Sequence, residues 1–191
     1  MKTVDVRISQ EERNLLASVV GKQFTKYRCD KIMFRPAVYQ ALGAFFDGLI
    51  LSVENEAQPL DYYGAIEDVG VMRVRQVSPD NVVSRIVDGQ QIDTPVNQVV
   101  RDIKVIDDTH YMEKDSETLY KFSYTKAIVF VLPDRQVVFE KDIWFSEDIL
   151  IYRGAEAESK IMDVDSEIEE SDQYSFRTER TVSNLGSSLN L

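Results

Sequence analysis

A mainly antiparallel β-protein, built as a sandwich or barrel with an N-terminal strand and helix, is the fold class this sequence predicts. Three observations predict it. Short runs of Val, Ile, Phe and Tyr alternate with polar residues along most of the chain, the period of half-buried strands. Turn signals such as Asp47-Gly48, Ser78-Pro79-Asp80-Asn81, Asp88-Gly89 and Pro133-Asp134 separate those runs at intervals of ~8–15 residues. A single segment, near 10–20, carries full helix punctuation.

The elements follow in chain order. Val4, Val6 and Ile8 alternate with Asp5 and Arg7, which reads as a strand. Ser9 and Glu12 form a capping box, in which each side chain accepts a free backbone N–H at a helix start. Leu15, Leu16, Val19 and Val20 then recur at helical spacing, and Gly21 can take the left-handed conformation that stops a helix. Asp47-Gly48 between the apolar runs 44–46 and 49–51 signals a hairpin. A helix over 37–46, with Pro36 at its first position, is the alternative for that stretch. Strands are expected over 69–77, 82–87 and 96–106, and a polar loop over 107–117. Leu119 to Leu132 reads as an aromatic-rich strand, and Val137–Phe139, Ile143–Phe145 and Ile149–Tyr152 complete a domain spanning 1–153. From 154 to 191 the chain is an acidic, partly disordered segment. A helix is expected within Ala155–Asp172, then a mobile tail from 173, or a stretch that orders on a partner.

Composition narrows function. The 191 residues suit one domain with an appendage. The net charge of -11 is uneven. Residues 1–46 hold 8 Lys/Arg against 4 Asp/Glu, a net of +4, while 47–153 and 154–191 carry nets of -9 and -6. An acidic bulk repels nucleic acid and anionic membrane and attracts proteins with basic grooves. No apolar run approaches the ~18 residues of a membrane helix, and Met1–Asp5 opens no signal peptide, so no membrane association and a cytoplasmic location are expected. Cys29 and His110 are the sole residues of their kinds, which excludes an internal disulfide and a Cys/His zinc site. His110, in the polar run Asp107–Tyr111, reads as a solvated loop residue rather than a catalytic base. No phosphate loop, nucleophile elbow or dinucleotide fingerprint is present, and no cofactor is expected.

Three segments could carry function. Lys22, Lys26, Tyr27, Arg28, Lys31 and Arg35 lie in a run of five basic and three aromatic residues, the composition of a surface that stacks bases and neutralises phosphates. Glu140, Asp142, Trp144, Glu147 and Asp148 place an aromatic among acids, typical of an interface anchor and also of a β-core with polar outward positions. Pro79-Asp80 followed by Asp102-Ile103-Lys104 is similar in form to the PD-(D/E)-x-K nuclease pattern. That resemblance implies Asp80 and Asp102 on a magnesium ion, with Lys104 steadying the attacking water. The acidic run from Asp163 begins like a calcium loop but has Ile168 where the loop's glycine must turn and Tyr174 at its glutamate position, so no calcium site is expected.

The leading expectation is an acidic protein-interaction module, not an enzyme. Its specific form is an inhibitor occupying the nucleic-acid groove of a larger basic protein, with or without that protein's bound RNA or DNA. In size, acidity and lack of a catalytic constellation the chain resembles the anti-restriction and anti-CRISPR proteins of phages and mobile elements, although no motif carries the resemblance. The alternatives are the magnesium-dependent nuclease and a non-catalytic assembly protein that forms a homo-oligomer through β-edges and tail.

Overall fold

The computed structural model describes residues 1–31, 36–86, 89–167 and 171–186. Its elements are β1 (Lys2–Val6), α1 (Gln10–Ala17), β2 (Gln23–Asp30), β3 (Ala37–Tyr39), β4 (Ala41–Phe46), β5 (Leu49–Tyr62), β6 (Ala65–Gln76), β7 (Gln91–Val99), β8 (Asp102–Lys114), β9 (Glu117–Val131), β10 (Gln136–Lys141), β11 (Asp148–Gly154) and β12 (Ser175–Asn184). Short 3-10 turns occupy Pro79–Asn81, Ala157–Lys160 and Val164–Glu167. The chain is therefore mainly β, as its alternation predicts. Among the described residues no helix is long and apolar enough to cross a membrane.

Two sheets share the core. One runs β12-β8-β9-β10-β11-β3, with β1 added parallel to β9; the other runs β6-β5-β4-β2-β7. All other strand pairs are antiparallel. Between the sheets Phe24 meets Phe130 at 5.2 Å and Tyr27 meets Phe139 at 5.8 Å between ring centroids. Leu42, Leu51, Val53 and Val74 from one sheet close on Ile103, Ile128, Val137 and Ile149 from the other. A second apolar cluster joins Val4 and Val6 to Tyr120, Phe122, Tyr124, Val69, Val71 and Trp144.

β9 links the two clusters. Its Tyr120–Tyr124 half pairs with β1 and its Ala127–Val131 half with β10, on the same edge. Lys126 falls between the halves: Ile106 faces Ala127 and Asp107 faces Thr125, so the register with β8 shifts by one residue at Lys126, a β-bulge.

The expected capping box is present and does more than close a helix. Ser9 accepts the Glu12 N–H at 3.2 Å, and Glu12 Oε2 accepts the Ser9 N–H at 2.6 Å. Glu12 Oε1 accepts the Val74 N–H at 2.8 Å, so one carboxylate ties α1 to the edge of β6. The helix itself ends at Ala17, a turn earlier than its apolar spacing suggests.

Several expectations are corrected. The alternative helix over 37–46 is not formed, since these residues lie in β3 and β4, whereas Asp47-Gly48 turns β4 into β5 as expected, with Gly48 at φ 72°. Residues 82–86 form no strand. They cross the outer face of the five-stranded sheet, where a Cβ on Gly43 would lie 2.6 Å from Val82, so Val82 fills the room a glycine leaves; Val87 and Asp88 lie outside the described residues. The run 96–106 is two strands in different sheets, broken at Val100-Arg101, where Val100 bonds to the Lys22 carbonyl and Arg101 to the Val131 carbonyl. The expected loop 107–117 is mostly β8, and His110 is buried against Tyr124 and Trp144 instead of solvated. Polarity misleads here because these polar side chains are paired inside the protein.

The C-terminal segment is corrected too. Over the described residues 155–167 the expected helix is replaced by two 3-10 turns, with Ala157 and Ile161 packed on Ile106, Val129 and Val138; 168–170 lie outside the described residues. Within the expected tail, Ser175–Asn184 is β12, registered with β8 over ten residues. Residues 187–191 lie outside the described residues.

The double use of Glu12 sets an expected order of stabilities. Ser9→Ala should cost about 1 kcal/mol. Glu12→Ala should cost about 2 kcal/mol, because two backbone donors lose their acceptor. Urea unfolding of the two variants checks this, and equal losses would mean that the contact to Val74 adds nothing.

Candidate functional site: buried ion pairs and an aromatic end

The acids and bases singled out in the sequence have to be placed one by one, because a charged side chain serves a partner only where water and partner reach it. Glu140 lies on β10 with its side chain 0% exposed, and Lys126, 1% exposed, sits 3.3 Å from its Oε1. Met162 N–H also donates to Glu140 Oε1, at 3.0 Å, which pins the 157–162 strap over the sheet. Burial raises the Glu140 carboxyl above its ordinary range, while Lys126, Met162 and Tyr152 pull it back. Next to it, Arg180 of β12 grips Asp108 with two bonds of 2.7 Å and donates to the Met162 carbonyl at 2.8 Å. On the opposite face of the sheet, Asp107 accepts from Thr125 at 2.7 Å and from Arg13 of α1, and Thr125 accepts the Ile8 N–H at 3.0 Å. These are structural pairs.

Asp142 and Trp144 are also buried. Trp144 stacks among Phe122, Tyr124, His110 and Tyr62, with Lys141 Nζ 5.6 Å from its ring. Trp144 is therefore core, the alternative its composition left open. Glu147 accepts from Tyr39 at 2.8 Å, Gln40 at 2.6 Å and the Ala57 N–H at 3.2 Å, and these bonds hold its carboxyl low against the opposing effect of burial. Asp148 is half-buried and opens β11. Of the five expected partner-binding residues, only Glu147 and Asp148 reach the surface, and only in part.

The basic segment is divided by strand alternation. Tyr27 faces the core, and burial pushes its hydroxyl pKa up. Lys26 and Arg28 lie on the outer face, 4.9 and 5.2 Å from the centroid of Phe45, and both pair with Asp93 across β7. The two cations hold Asp93 down to about 2. Lys22 is half-buried, Lys31 is exposed, and Arg35 lies outside the described residues. A phosphate arriving here meets two cations that already share the carboxylate of Asp93.

The nuclease pattern is dispersed. Asp80 is exposed in the 3-10 turn after β6. Asp102 begins β8 in the other sheet, where its Oδ1 accepts the Ile103 and Gly186 N–H groups, both at 2.7 Å. Lys104 pairs with Glu158 at 2.6 Å. Among the described residues no group of three His, Cys, Asp or Glu side chains is placed to hold a metal ion. Cys29 is buried beside Asp30, and its thiol is pushed up to about 11, far from a nucleophile. A polar cleft of about 770 Å³ lies between the β1–α1 junction and the end of β12, but the Arg7 and Arg13 that line it are paired with Asp5 and Asp107.

The structure adds a feature that sequence reading missed. The 143–146 loop seats on Gly70, whose N–H donates to the Trp144 carbonyl at 2.9 Å and whose missing Cβ leaves room for the Ser146 carbonyl, 2.4 Å from where that Cβ would be. Trp144 points in, and its neighbours Ile143 and Phe145 stand 49% and 51% exposed. Phe145 leans on Tyr62 at 5.1 Å, Tyr62 on Tyr63 at 4.7 Å, and Tyr63 on Tyr120 at 4.9 Å and Phe176 at 5.7 Å. The β5–β6 tip, the β8–β9 tip and the start of β12 thus meet at one aromatic end. Exposed Glu67, Asp68, Asp115 and Glu117 lie on these two hairpins. The signal available in sequence was Tyr62-Tyr63-Gly64, two large aromatics at a turn that needs no core residues.

No family model, no curated protein and no solved structure matches this chain.

The Lys126–Glu140 pair has a distinctive expected signature. Removing one partner leaves an uncompensated buried charge, so Lys126→Met should cost about 3–5 kcal/mol, and adding Glu140→Leu should recover most of it. Denaturant unfolding of both variants checks this; a double variant no more stable than the single would contradict it. At Asp93 the folded pKa is depressed, so its contribution to stability is present above the unfolded value near 4 and is lost as pH falls toward 2. Asp93→Asn should flatten the stability–pH curve in that window, and a curve of unchanged slope would rule the coupling out.

Proposed function

We propose that this chain is a non-catalytic, acidic protein-interaction module that engages a basic partner protein through its aromatic end. The observation that carries the reading is the pair Ile143 and Phe145, held outward on a loop anchored by the buried Trp144 between them and by the Gly70 N–H bond to the Trp144 carbonyl. Large apolar side chains are costly to expose, and a pre-ordered aromatic needs little further ordering on binding, the property of an interface anchor. Tyrosines around it add amphipathic contact area. The net charge of -11 and the exposed acids of the flanking hairpins supply long-range attraction to a basic surface.

In its specific form the module is an inhibitor that sits in the nucleic-acid groove of a larger protein, in the manner of anti-CRISPR or anti-restriction proteins. The acids in contact would then be those of the hairpins, because Glu140 and Asp142 are committed internally. A partner captured from a bacterial lysate at low salt should be a basic protein released by raised salt. Its affinity should fall steeply with ionic strength. Ile143→Ser combined with Phe145→Ser should weaken binding by at least about tenfold, the scale of a lost anchor, without loss of fold. Binding that is indifferent to both salt and this double substitution would refute the reading.

A further inference from the structure

The outer strands of the two sheets are not equally protected. An edge strand leaves backbone N–H and C=O groups unpaired, and proteins cover, shorten or distort such edges unless another strand is meant to join. On β6, Glu12 takes the Val74 N–H, the Trp144 carbonyl takes the Gly70 N–H, and Arg73 donates to its neighbour's carbonyl on Met72. β7 carries Pro95, and Asn97 at φ 54° twists it out of regular pairing. β3 is three residues long and β1 five.

Among the described residues β12 has none of these devices. It ends its sheet, all ten of its residues hold register with β8 without a shift, and it contains neither Pro nor Gly. The 162–165 stretch reaches it through side chains on one face, Arg180 to the Met162 carbonyl and Thr178 to Asp165. The other face carries Arg177 and Glu179, 46% and 53% exposed. Both are pre-ordered. Arg177 lies 3.8 Å over the Tyr111 ring and pairs with Glu179, and Tyr111 donates to Glu179 at 2.8 Å.

We propose that β12 is a homodimer edge: two copies join antiparallel through β12, continuing the seven-stranded sheet across a two-fold axis at Thr178. The axis is set by charge. Antiparallel pairing about Thr178 places Arg177 opposite Glu179 of the second copy, and Glu179 opposite its Arg177. The two existing intrachain pairs then become a ring of four alternating charges. Opposite charges facing across antiparallel strands stabilise the pairing, and like charges oppose it. A twofold interface of this kind is self-complementary, as closed dimers require. The inference is independent of the partner-binding reading, which uses Ile143 and Phe145.

Light scattering and sedimentation of the full chain test it. The parent should show a concentration-dependent species of twice 21.9 kDa. Arg177→Glu alone and Glu179→Arg alone should each weaken the dimer at least about tenfold, because each sets like charges face to face. The double reversal should restore dimerisation, and its recovery also shows that the surface tolerates both residues. A parent that stays monomeric at high micromolar concentration overturns the proposal. So does a dimer unmoved by the single reversals, or a double reversal that remains monomeric. Ile143→Ser with Phe145→Ser should leave the dimer intact, which separates failure of this inference from failure of the partner-binding reading.

Discussion

The bulge at Lys126 in β9 is the constraint on which the rest of the molecule depends. A fifteen-residue strand must serve β1 along one half of an edge and β10 along the other. A strand without a break would carry one register and one twist through both. The extra residue lets the two halves meet different neighbours, and through them two apolar clusters. The cost is a lysine placed where water does not reach. Glu140 offsets that charge, and by accepting from Met162 it fixes the strap that covers the sheet. Burial of this pair is weak grounds for net stability, but losing either member alone is expensive.

The same logic explains why so many of the chain's acids are unavailable to a partner. Asp107, Asp108 and Glu140 are internal, each beside a cation: Arg13 and Arg180 from distant parts of the sequence, and Lys126 from the neighbouring strand. Arg13 brings α1 to β8, and Arg180 brings β12 to the same strand. Charge thereby holds the N-terminal and C-terminal segments to the central sheet. At the aromatic end the surface is acidic on the hairpins, at Glu67, Asp68, Asp115 and Glu117, and apolar at Ile143 and Phe145, while other exposed apolar side chains such as Ile66 and Ile92 lie on the strands.

Much of the fold was legible because it is local. The capping box at Ser9 and Glu12, the Asp47-Gly48 turn and the aromatic alternation of β9 are set within a few residues and appear as expected. The failures share a physical cause. Asp107, Asp108 and His110 look like a loop because burial of polar groups depends on partners far away in sequence, which periodicity does not register. β12 looks like a tail because its Ser, Thr and Arg side chains gain their value from β8 and Tyr111. Residues 82–86 have strand composition, but Gly43 offers Val82 a place on a sheet face instead of a sheet edge. At the candidate site, the 139–148 segment was legible as a region, whereas its orientation was not: alternation around Trp144 turns Phe145 outward, and only the approach of Gly70 fixes that choice.

If β9 joins both clusters through its bulge, the two halves of the strand belong to one cooperative unit. Residue-resolved native-state hydrogen exchange measures this directly. The protected amides within 120–124 and those within 127–131 should open with the same free energy, equal to that of global unfolding, and protected amides of β8 on either side of Asp107 should match them. Two distinct opening free energies, dividing at Lys126, would contradict it and make the two clusters separate units joined by a strand.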